Sequence, residues 1–261
     1  MAKQKQRADQ LVFEQGLAET RERAKRLVMA GLVRARVDGR EAPVDKPGRM
    51  FPAGTAFSLE AGERYVSRGG GKLETALEAF SLDVTDAVAL DAGASTGGFT
   101  DCLLQHGAAR VYAVDVGTAQ LHERLRADTR VVSMERVNLR HAPADLLPEP
   151  VDVVVADLSF ISLTKVLPAL VPFLKPGGLV VALVKPQFEL TPEKVGKGGV
   201  VREEALRREA VDTVTAFAGE ALGLSLVGVV ASKVKGPKGN QEYLAAFRLT
   251  PAEASPRPPS P

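Results

Sequence analysis

The chain has 261 residues, 45% of them hydrophobic and 25% charged, which is typical of a globular protein and allows one sizeable domain beside a smaller one. Its single cysteine excludes an internal disulfide and fits a reducing compartment, so we expect a cytoplasmic protein. The longest apolar run, Leu179–Val184, is too short to span a bilayer, and no apolar segment follows the basic N-terminal residues. A secreted or membrane-spanning protein is therefore not expected.

The net charge of +2 is distributed unevenly along the chain. Residues 1–72 carry 15 Lys and Arg against 9 Asp and Glu, a net of +6, whereas residues 73–261 carry 19 against 23, a net of −4. This asymmetry favours a polyanion-binding module joined to a second domain. A solvated basic face without a partner explains the charge equally well.

Residues 5–62 are predicted to form a small α+β domain. Apolar periodicity indicates helices over residues 8–16 and 20–31, and Thr20 is a suitable N-cap for the second. Short β segments are predicted around Val33–Val37 and Met50–Leu59. The predicted turns and helix ends are at Gly16, Gly31, Asp38-Gly39 and Pro47-Gly48.

The second predicted helix places basic side chains opposite an apolar stripe of Ala24, Leu27 and Val28, where they can reach phosphates. This domain resembles the αL-type RNA-binding module of a ribosomal small-subunit protein, tyrosyl-tRNA synthetases and many pseudouridine synthases. The resemblance is carried by Arg7, Thr20-Arg21, Ala30-Gly31, Val37-Asp38-Gly39 and Lys46-Pro47-Gly48. It implies an RNA partner. The candidate RNA-binding residues are Arg7, Arg21, Arg23, Lys25, Arg26, Arg64 and Arg68.

After a predicted linker at 63–71, residues 72–250 alternate between strand and helix patterns, which predicts an α/β domain with a parallel sheet. The predicted strands are Ala87–Asp91, Val111–Val116, Arg130–Glu135, Val151–Ala156 and Leu179–Val184. The predicted helices are Lys72–Phe80, Asp101–Gln105, Gln120–Arg126, Ile161–Leu174 and Glu203–Leu222. Ser225–Ser232 and Glu242–Leu249 are predicted to close the sheet as an antiparallel hairpin, and the Pro-rich tail 251–261 is predicted to be disordered.

The turn after the first of these strands, in VALDAGASTGGF, allows three interpretations. G-A-S-T-G matches the nucleophile elbow of serine hydrolases, but the last histidine, His141, precedes two of the five predicted parallel strands, and such a triad needs it later. The turn also resembles a dinucleotide fingerprint, but Ser95 stands at the middle glycine position, where its side chain would crowd a pyrophosphate. Neither interpretation fits well.

The third interpretation is a binding turn for S-adenosylmethionine, which has no phosphate and needs small residues beside its amino-acid end. Asp115 ends the second strand 22 residues after Gly93, the spacing of an acid that binds ribose hydroxyls. An antiparallel last strand is also typical of methyltransferases. We therefore predict a Rossmann-like class I methyltransferase fold. The candidate cofactor-binding residues are Gly93, Ala94, Ser95, Thr96, Gly97, Asp115, Glu135, Asn138 and Asp157.

Residues 5–250 resemble the TlyA (hemolysin A) family of RNA 2′-O-methyltransferases, which is related to the FtsJ group. The motifs that carry this resemblance are YVSRGGGKLETAL, LDAGASTGGFTDCLLQHGAARVYAVDVG, QLHERLR, ADLSFISLTKVLP, LVKPQFE and GPKGNQEYL. The resemblance implies methylation of ribose hydroxyls of cytidines in ribosomal RNA, with ribosomal RNA or ribosomal subunits as partners.

The resemblance also implies a catalytic Lys-Asp-Lys-Glu tetrad, which maps to Lys72, Asp157, Lys185 and Glu242. The sequence adds independent support, because Asp157 and Lys185 each follow an apolar parallel strand, at the edge where ligands bind in such sheets. We predict that Lys185 is the base and that Lys72 positions the ribose. Asp157 is expected to orient Lys185, and Glu242 to position Lys72.

Other functions remain as alternatives. Methylation of an exocyclic amine usually relies on a D/N-P-P-Y/F turn, and DLSF lacks both prolines; methylation at carbon 5 needs a nucleophilic cysteine, whereas Cys102 is expected to pack in the core. No Cys/His spacing indicates a metal site. The remaining alternatives are a ribosome-binding assembly factor without activity and a membrane-active hemolysin, although no amphipathic membrane helix supports the latter.

Overall fold

The structure is a computed structural model that describes residues 5–29, 31–37, 39–59, 64–143 and 145–250. It divides into two compact units, Met1–Arg64 and Tyr65–Pro261. Ala30 and Asp38, which belong to the predicted N-terminal motifs, and the predicted tail 251–261 lie outside the described residues.

The first unit is a pair of helices with two small sheets. Its elements are β1 (Lys5–Arg7), α1 (Ala8–Glu14), α2 (Arg21–Met29), β2 (Val33–Val37), β3 (Arg40–Pro43), β4 (Met50–Pro52) and β5 (Ala56–Leu59). One sheet has the order β3-β2-β5 and the other pairs β1 with β4, all antiparallel. Thr20 caps α2 as predicted, because its Oγ1 accepts a hydrogen bond from the N–H of Arg23 at 3.1 Å.

The core of the first unit is formed by the apolar faces of both helices and by the strands. Ala24 and Val28 of α2 are buried with Leu11 of α1, and Phe51 packs edge-to-face on Phe57 with ring centroids 5.2 Å apart. One prediction here was incomplete. The segment Met50–Leu59 is split by a turn, in which the N–H of Thr55 bonds to the carbonyl of Pro52, so its two halves join different sheets.

The second unit is a seven-stranded sheet with helices on both faces. Its strands are β6 (Val88–Ala92), β7 (Arg110–Asp115), β8 (Val131–Glu135), β9 (Val151–Ala156), β10 (Leu174–Val184), β11 (Leu224–Ala231) and β12 (Tyr243–Leu249). Its helices are α3 (Gly69–Ala79), α4 (Gly98–Gln105), α5 (Glu123–Arg126), α6 (Leu167–Leu170), α7 (Pro186–Glu189) and α8 (Glu204–Leu222), with short 3₁₀ turns between some of them.

The strand order is β11-β12-β10-β9-β6-β7-β8, in which β12 pairs antiparallel with β10 and β11 and the other neighbouring strands pair in parallel. The chain moves outward from β6 toward β8 and then returns to β9 on the other side of β6. This reversal opens a crevice at the carboxyl ends of β6 and β9, where ligands bind in open α/β sheets. The predicted α/β fold with a final antiparallel hairpin is confirmed.

Both faces of the sheet are covered by apolar side chains. On one face Leu73 and Leu77 of α3 pack with Leu103 of α4, and on the other Leu167 and Leu170 pack with Val214 of α8. The central strands are buried on both sides, which explains their continuous apolar runs. A rigid, doubly covered sheet holds the strand ends in fixed positions for the side chains that follow them.

Several predicted helices have other bounds in the structure, among them the one predicted at Asp101–Gln105, which begins at Gly98. The helix predicted at Lys72–Phe80 begins at Gly69, so residues 69–71 of the predicted linker belong to it. The helix predicted at Ile161–Leu174 is broken into short pieces, since Pro168 and Pro172 lack the N–H that a continuous helix requires. The predicted helix over Gln120–Arg126 shortens to Glu123–Arg126, because the side chain of His122 caps the N–H of Arg124.

Candidate active site

The glycine turn that follows β6 brings the backbone close to the carboxyl end of β9. Gly93 has φ +86°, and a Cβ there would lie 2.9 Å from Leu158 Cδ2 and 3.0 Å from the carbonyl oxygen of Asp157. Gly97 has φ +95°, and its Cβ would lie 2.2 Å from Leu125 Cδ1. Both positions therefore require glycine for conformation and for space.

Asp115 connects this turn to the loop after β7. Its Oδ2 accepts a hydrogen bond from the N–H of Ser95 at 2.8 Å, and its Oδ1 accepts one from the N–H of Gly117 at 2.7 Å. A carboxylate has about four acceptor positions, so two bonds leave capacity for a ligand. Asp115 lines a cavity of about 540 Å³ together with Gly93, Ser95, Asn138 and Asp157.

Of the two candidates at and after the end of β8, Glu135 and Asn138, only Asn138 lines this cavity. Its side chain accepts a hydrogen bond from the N–H of Arg140 at 3.1 Å. Glu135 lies beneath the loop instead, where its Oε1 accepts from the N–H of Ala119 at 2.8 Å beside a void of about 10 Å³. Glu135 therefore holds the loop after β7, which bounds the cavity, through its bond to Ala119.

A second cavity of about 260 Å³ adjoins the first, and Gly93, Ser95 and Asp157 line both. Ala94 and Thr96 of the glycine turn lie in its wall, together with Lys72 and Lys185. The turn thus separates two compartments that share Asp157.

Lys185 and Asp157 form an ion pair at this junction. Nζ of Lys185 lies 2.6 Å from Oδ1 of Asp157 and donates a hydrogen bond to Oγ of Ser159 at 3.0 Å. The two residues end the neighbouring parallel strands β10 and β9, so the sheet itself brings them together. Ser159 accepts one of the three hydrogen bonds that the ammonium group can donate.

Lys72 and Glu242 form a second ion pair, and Glu242 is fully buried. Nζ of Lys72, on α3, donates to Oε2 of Glu242, just before β12, at 2.6 Å. Oε1 of Glu242 has no hydrogen-bond partner among the described residues. A third cavity, of about 350 Å³, is lined by Lys185 and Glu242. The four tetrad residues therefore surround adjoining cavities.

An aromatic lip, formed by Phe160 and Phe188, borders these cavities and was missed from the sequence. Phe160 is 89% exposed, has φ +66°, and its ring centroid lies 5.2 Å from that of Phe188. Glu189 fixes the two segments to each other by accepting hydrogen bonds from Ser162 Oγ at 2.6 Å and from the N–H of Leu163 at 3.0 Å. Burial raises the pKa of Glu189. In the sequence, the position of Phe160 directly after Asp157-Leu158-Ser159 could have indicated this aromatic lip.

Asp91 is a second feature that sequence reasoning missed. Its side chain is fully buried at the end of β6, where Oδ2 accepts from the N–H of Thr100 at 2.9 Å and from its Oγ1 at 2.6 Å. Its Oδ1 has no partner among the described residues. Burial, opposed by the Thr100 bonds and reinforced by the charge of Asp157, raises the pKa of Asp91 to about 7.

The loop 189–202 is held by side chains from the segment before β12. Asn240 accepts a hydrogen bond from the N–H of Val201 at 3.0 Å and donates to the carbonyl of Gly199 at 2.8 Å. Lys238 donates to the carbonyl of Gly198 at 2.8 Å. These bonds fix the glycine-rich part of the loop over the third cavity.

The basic candidates of the first unit occupy two settings. Arg7 forms two hydrogen bonds with the buried Asp9, at 2.8 and 3.0 Å, and Arg21 lies 3.6 Å from the same carboxylate. The hydrogen-bonded Arg7 holds the pKa of Asp9 below its usual value. The remaining candidates of this unit are exposed: Arg23, Lys25, Arg26 and Arg64. In the second unit, Arg68 precedes α3 and lines the 260 Å³ cavity.

No group of three or more His, Cys, Asp or Glu side chains in the described part of the chain is arranged to hold a metal ion. None of the described helices has the length and apolar character needed to cross a membrane.

Models of two known families match this chain. The model of the FtsJ-like methyltransferase family matches residues 65–249, and that of the S4 domain matches residues 6–49. The 16S/23S rRNA (cytidine-2′-O)-methyltransferase TlyA of Mycobacterium tuberculosis is 48% identical over 93% of this chain and 89% of its own. Hemolysin A of Brachyspira hyodysenteriae is 40% identical over 92% of this chain and 99% of its own.

A solved structure of a hemolysin-type protein from Streptococcus thermophilus has 51% sequence identity and a TM-score of 0.71, covering 95% of this chain and 90% of that one. The N-methyltransferase NodS of Bradyrhizobium japonicum, at 20% identity and a TM-score of 0.50 over 70% of this chain, shares the fold alone. The chain therefore belongs to the TlyA (hemolysin A) family of FtsJ-like methyltransferases.

Proposed function

We propose that this chain transfers a methyl group from S-adenosylmethionine to the ribose 2′-hydroxyl of a cytidine in ribosomal RNA, with Lys185 taking up the hydroxyl proton. The observation that carries the proposal is the placement of two lysine–carboxylate pairs around cavities that adjoin the glycine turn. The substrate is supported by the TlyA relatives, one of which is named for cytidine-2′-O methylation of 16S and 23S rRNA.

The 540 Å³ cavity fits S-adenosylmethionine. The absence of a Cβ at Gly93 opens the turn beside Asp157, and the free acceptor positions of Asp115 suit ribose hydroxyls. Gly93, Ser95, Asp115 and Asn138 would hold the cofactor from the cavity wall, with Ala94, Thr96 and Gly97 shaping the turn behind them. When bound, the cofactor supplies a methyl group on an electrophilic sulfonium.

The tetrad residues then have separate tasks. Lys185 takes up the proton from the 2′-hydroxyl, and Asp157 stabilises the resulting ammonium across a 2.6 Å contact. Lys72, held by Glu242, is a cation in the wall of the 260 Å³ cavity and positions the ribose. Each of the two lysines is thus oriented by its own carboxylate: Lys185 by Asp157 and Lys72 by Glu242.

The N-terminal unit supplies RNA contacts under this proposal. The exposed cations Arg23, Lys25 and Arg26 on α2 bind phosphates, whereas Arg7 and Arg21 are oriented by the buried Asp9. The match to an S4 domain supports this role. Arg64 of the first unit and Arg68 of the second are proposed as further RNA contacts.

The direct test uses the purified full chain, tritiated S-adenosylmethionine and ribosomal subunits from cells that lack the protein. We expect label in 2′-O-methylcytidine after digestion to nucleosides, and a matching site in ribosomal RNA mapped from cells with and without the protein. Heat-inactivated protein is the control. Label in a methylated base, or no transfer to either subunit, would contradict the proposal.

A further inference from the structure

Ser159 borders all three cavities of the site. It lines those of about 260, 540 and 350 Å³, whereas Asp157 and Lys185 each line two of them. Its side chain is exposed, so the hydroxyl is accessible at the carboxyl end of β9. A hydroxyl in this position can act on the substrate directly or through a neighbouring side chain.

The hydrogen bond of Lys185 favours the second role. Nζ of Lys185 donates to Oγ of Ser159 at 3.0 Å, whereas its 2.6 Å contact with Oδ1 of Asp157 is an ion pair. Coulombic attraction depends on distance, but a hydrogen bond also depends strongly on direction. Among the described residues, Ser159 is therefore the acceptor that can fix the rotation of the amine about the Cε–Nζ bond.

The backbone that carries Ser159 is held on both sides. Before it, the N–H of Asp157 donates to the carbonyl of Ala92, at the end of β6, at 3.2 Å. After it, two hydrogen bonds to Glu189 join the following residues to α7, which begins directly after Lys185. The donor and the acceptor thus lie on linked backbone segments, and the short serine side chain places Oγ by a single torsion with few allowed values.

The direction of the Lys185 amine decides whether it can accept a proton. An amine that is about to accept one has two N–H groups and a lone pair around Nζ, and rotation about the Cε–Nζ bond exchanges their positions. When Ser159 holds one N–H, two positions remain for the other N–H and the lone pair. The carboxylate of Asp157 attracts the N–H and repels the lone pair, so the lone pair takes the position away from Asp157.

We propose that Ser159 is a positioning residue for methyl transfer, whose Oγ holds one N–H of Lys185 and so directs the lone pair of that amine at the ribose 2′-hydroxyl. This inference rests on the proposed function and deepens it. In the reaction the 2′-oxygen forms a bond to the methyl carbon as the carbon–sulfur bond breaks, and the hydroxyl proton passes to Nζ of Lys185. Ser159 gains and loses no proton in this step.

Single-turnover rates with saturating S-adenosylmethionine and with ribosomal subunits from cells that lack the protein test this role. Ser159→Ala should lower the rate by roughly tenfold to hundredfold, because the amine adopts the productive orientation less often. Its affinity for S-adenosylmethionine in calorimetry, and the subunit concentration that gives half the maximal rate, should stay within about twofold of wild type.

Two further variants serve as controls for the loss of the hydroxyl. Ser159→Thr keeps the hydroxyl and should stay within about threefold of the wild-type rate. Ser225→Ala changes an exposed serine that pairs with Arg248 at the amino end of the sheet, and it should alter the rate by less than about twofold.

A double variant separates positioning of the amine from direct contact with the substrate. In a Lys185→Ala protein no amine remains to be directed, so adding Ser159→Ala should change the residual rate by less than about twofold. An equal loss with and without Lys185 overturns the inference, because the hydroxyl would then act without the amine.

A Ser159→Ala protein with the wild-type rate overturns the inference and leaves the proposed function standing. A threonine variant as slow as the alanine variant also overturns it, since the hydroxyl would then not be the group that matters. A wild type that transfers no methyl group to the ribose of either subunit overturns the proposed function and, with it, the inference.

Discussion

The two ends of the large sheet carry the same kinds of side chain in different settings. At the carboxyl end, the side chains of Lys72 and Glu242 are 10% and 0% exposed, and those of Lys185 and Asp157 are 8% and 22% exposed. At the amino end, Lys175 lies 2.7 Å from Asp152 beside a cavity of about 370 Å³, but these side chains are 42% and 37% exposed.

Contact distance alone therefore does not identify a functional ion pair, because the pairs at both ends are similarly short. An exposed ion pair is screened by water and contributes little to stability, whereas a buried pair is costly to break because one partner is left charged in a poorly solvated place. The pairs at the carboxyl end also border cavities beside the glycine turn. The two ends differ in the burial of the ion pairs and in the cavities beside them, although both ends carry a lysine paired with an acid.

The largest expected difference is in turnover. Lys185→Ala should lower the single-turnover rate of methyl transfer by about 10²–10⁴-fold, because it removes the proposed proton acceptor. The matched change at the amino end, Lys175→Ala, should leave the rate within about twofold of wild type. Near-normal transfer by Lys185→Ala, with S-adenosylmethionine affinity unchanged in calorimetry, would remove Lys185 from the mechanism.

The next difference is in stability. Lys72→Met leaves the buried carboxylate of Glu242 without its cation and should lower the free energy of unfolding by about 3–5 kcal/mol. Lys175→Met should cost less than about 1 kcal/mol, since Asp152 stays solvated. Urea unfolding of the full-length variants measures both values. Similar small losses in the two variants would show that burial does not separate these pairs.

A pH dependence follows from Asp91. Its folded-state pKa of about 7 lies above the ordinary value of about 4, so the folded protein retains a proton that the unfolded chain releases between those pH values. The unfolding free energy should therefore fall as pH rises from about 4 to 7, by up to about 4 kcal/mol. In thermal melts between about pH 4 and 7, Asp91→Asn should lose this fall in the unfolding free energy. Asp152→Asn, the control, should retain it. An unchanged profile in Asp91→Asn would refute the assignment.

The smallest expected effect concerns the aromatic lip. Phe160→Ala should lower kcat/KM by about tenfold, since a base stacked on an aromatic ring gains about 1–3 kcal/mol. Its melting temperature should not change, because the ring is 89% exposed. Leu226→Ala, at an exposed apolar position on β11, is the control and should change neither value. A wild-type rate in Phe160→Ala would exclude the ring from substrate binding.

Much of the scaffold could be predicted because its signals are local. The parallel strands appear as apolar runs, and Asp157 and Lys185 follow two of them directly, so their meeting at one sheet edge is a property of parallel strands. Glycine at 93 and 97 marked the turn. Where prediction was wrong, local signals competed: the prolines at 168 and 172 interrupted an otherwise helical pattern, and the glycines at 69–71 hid the start of α3.

The sequence by itself determined the alternation of strands and helices, the glycine turn and the residues at the strand ends, because each depends on side chains within a few positions of one another. The tertiary structure alone decided that Lys72 meets Glu242 across 170 residues and that Glu135 supports a loop. It also decided that buried oxygens of Asp91 and Gln187 have no hydrogen-bond partner within the described ranges. Burial and hydrogen bonding at those places depend on how distant elements pack, which a local pattern does not specify.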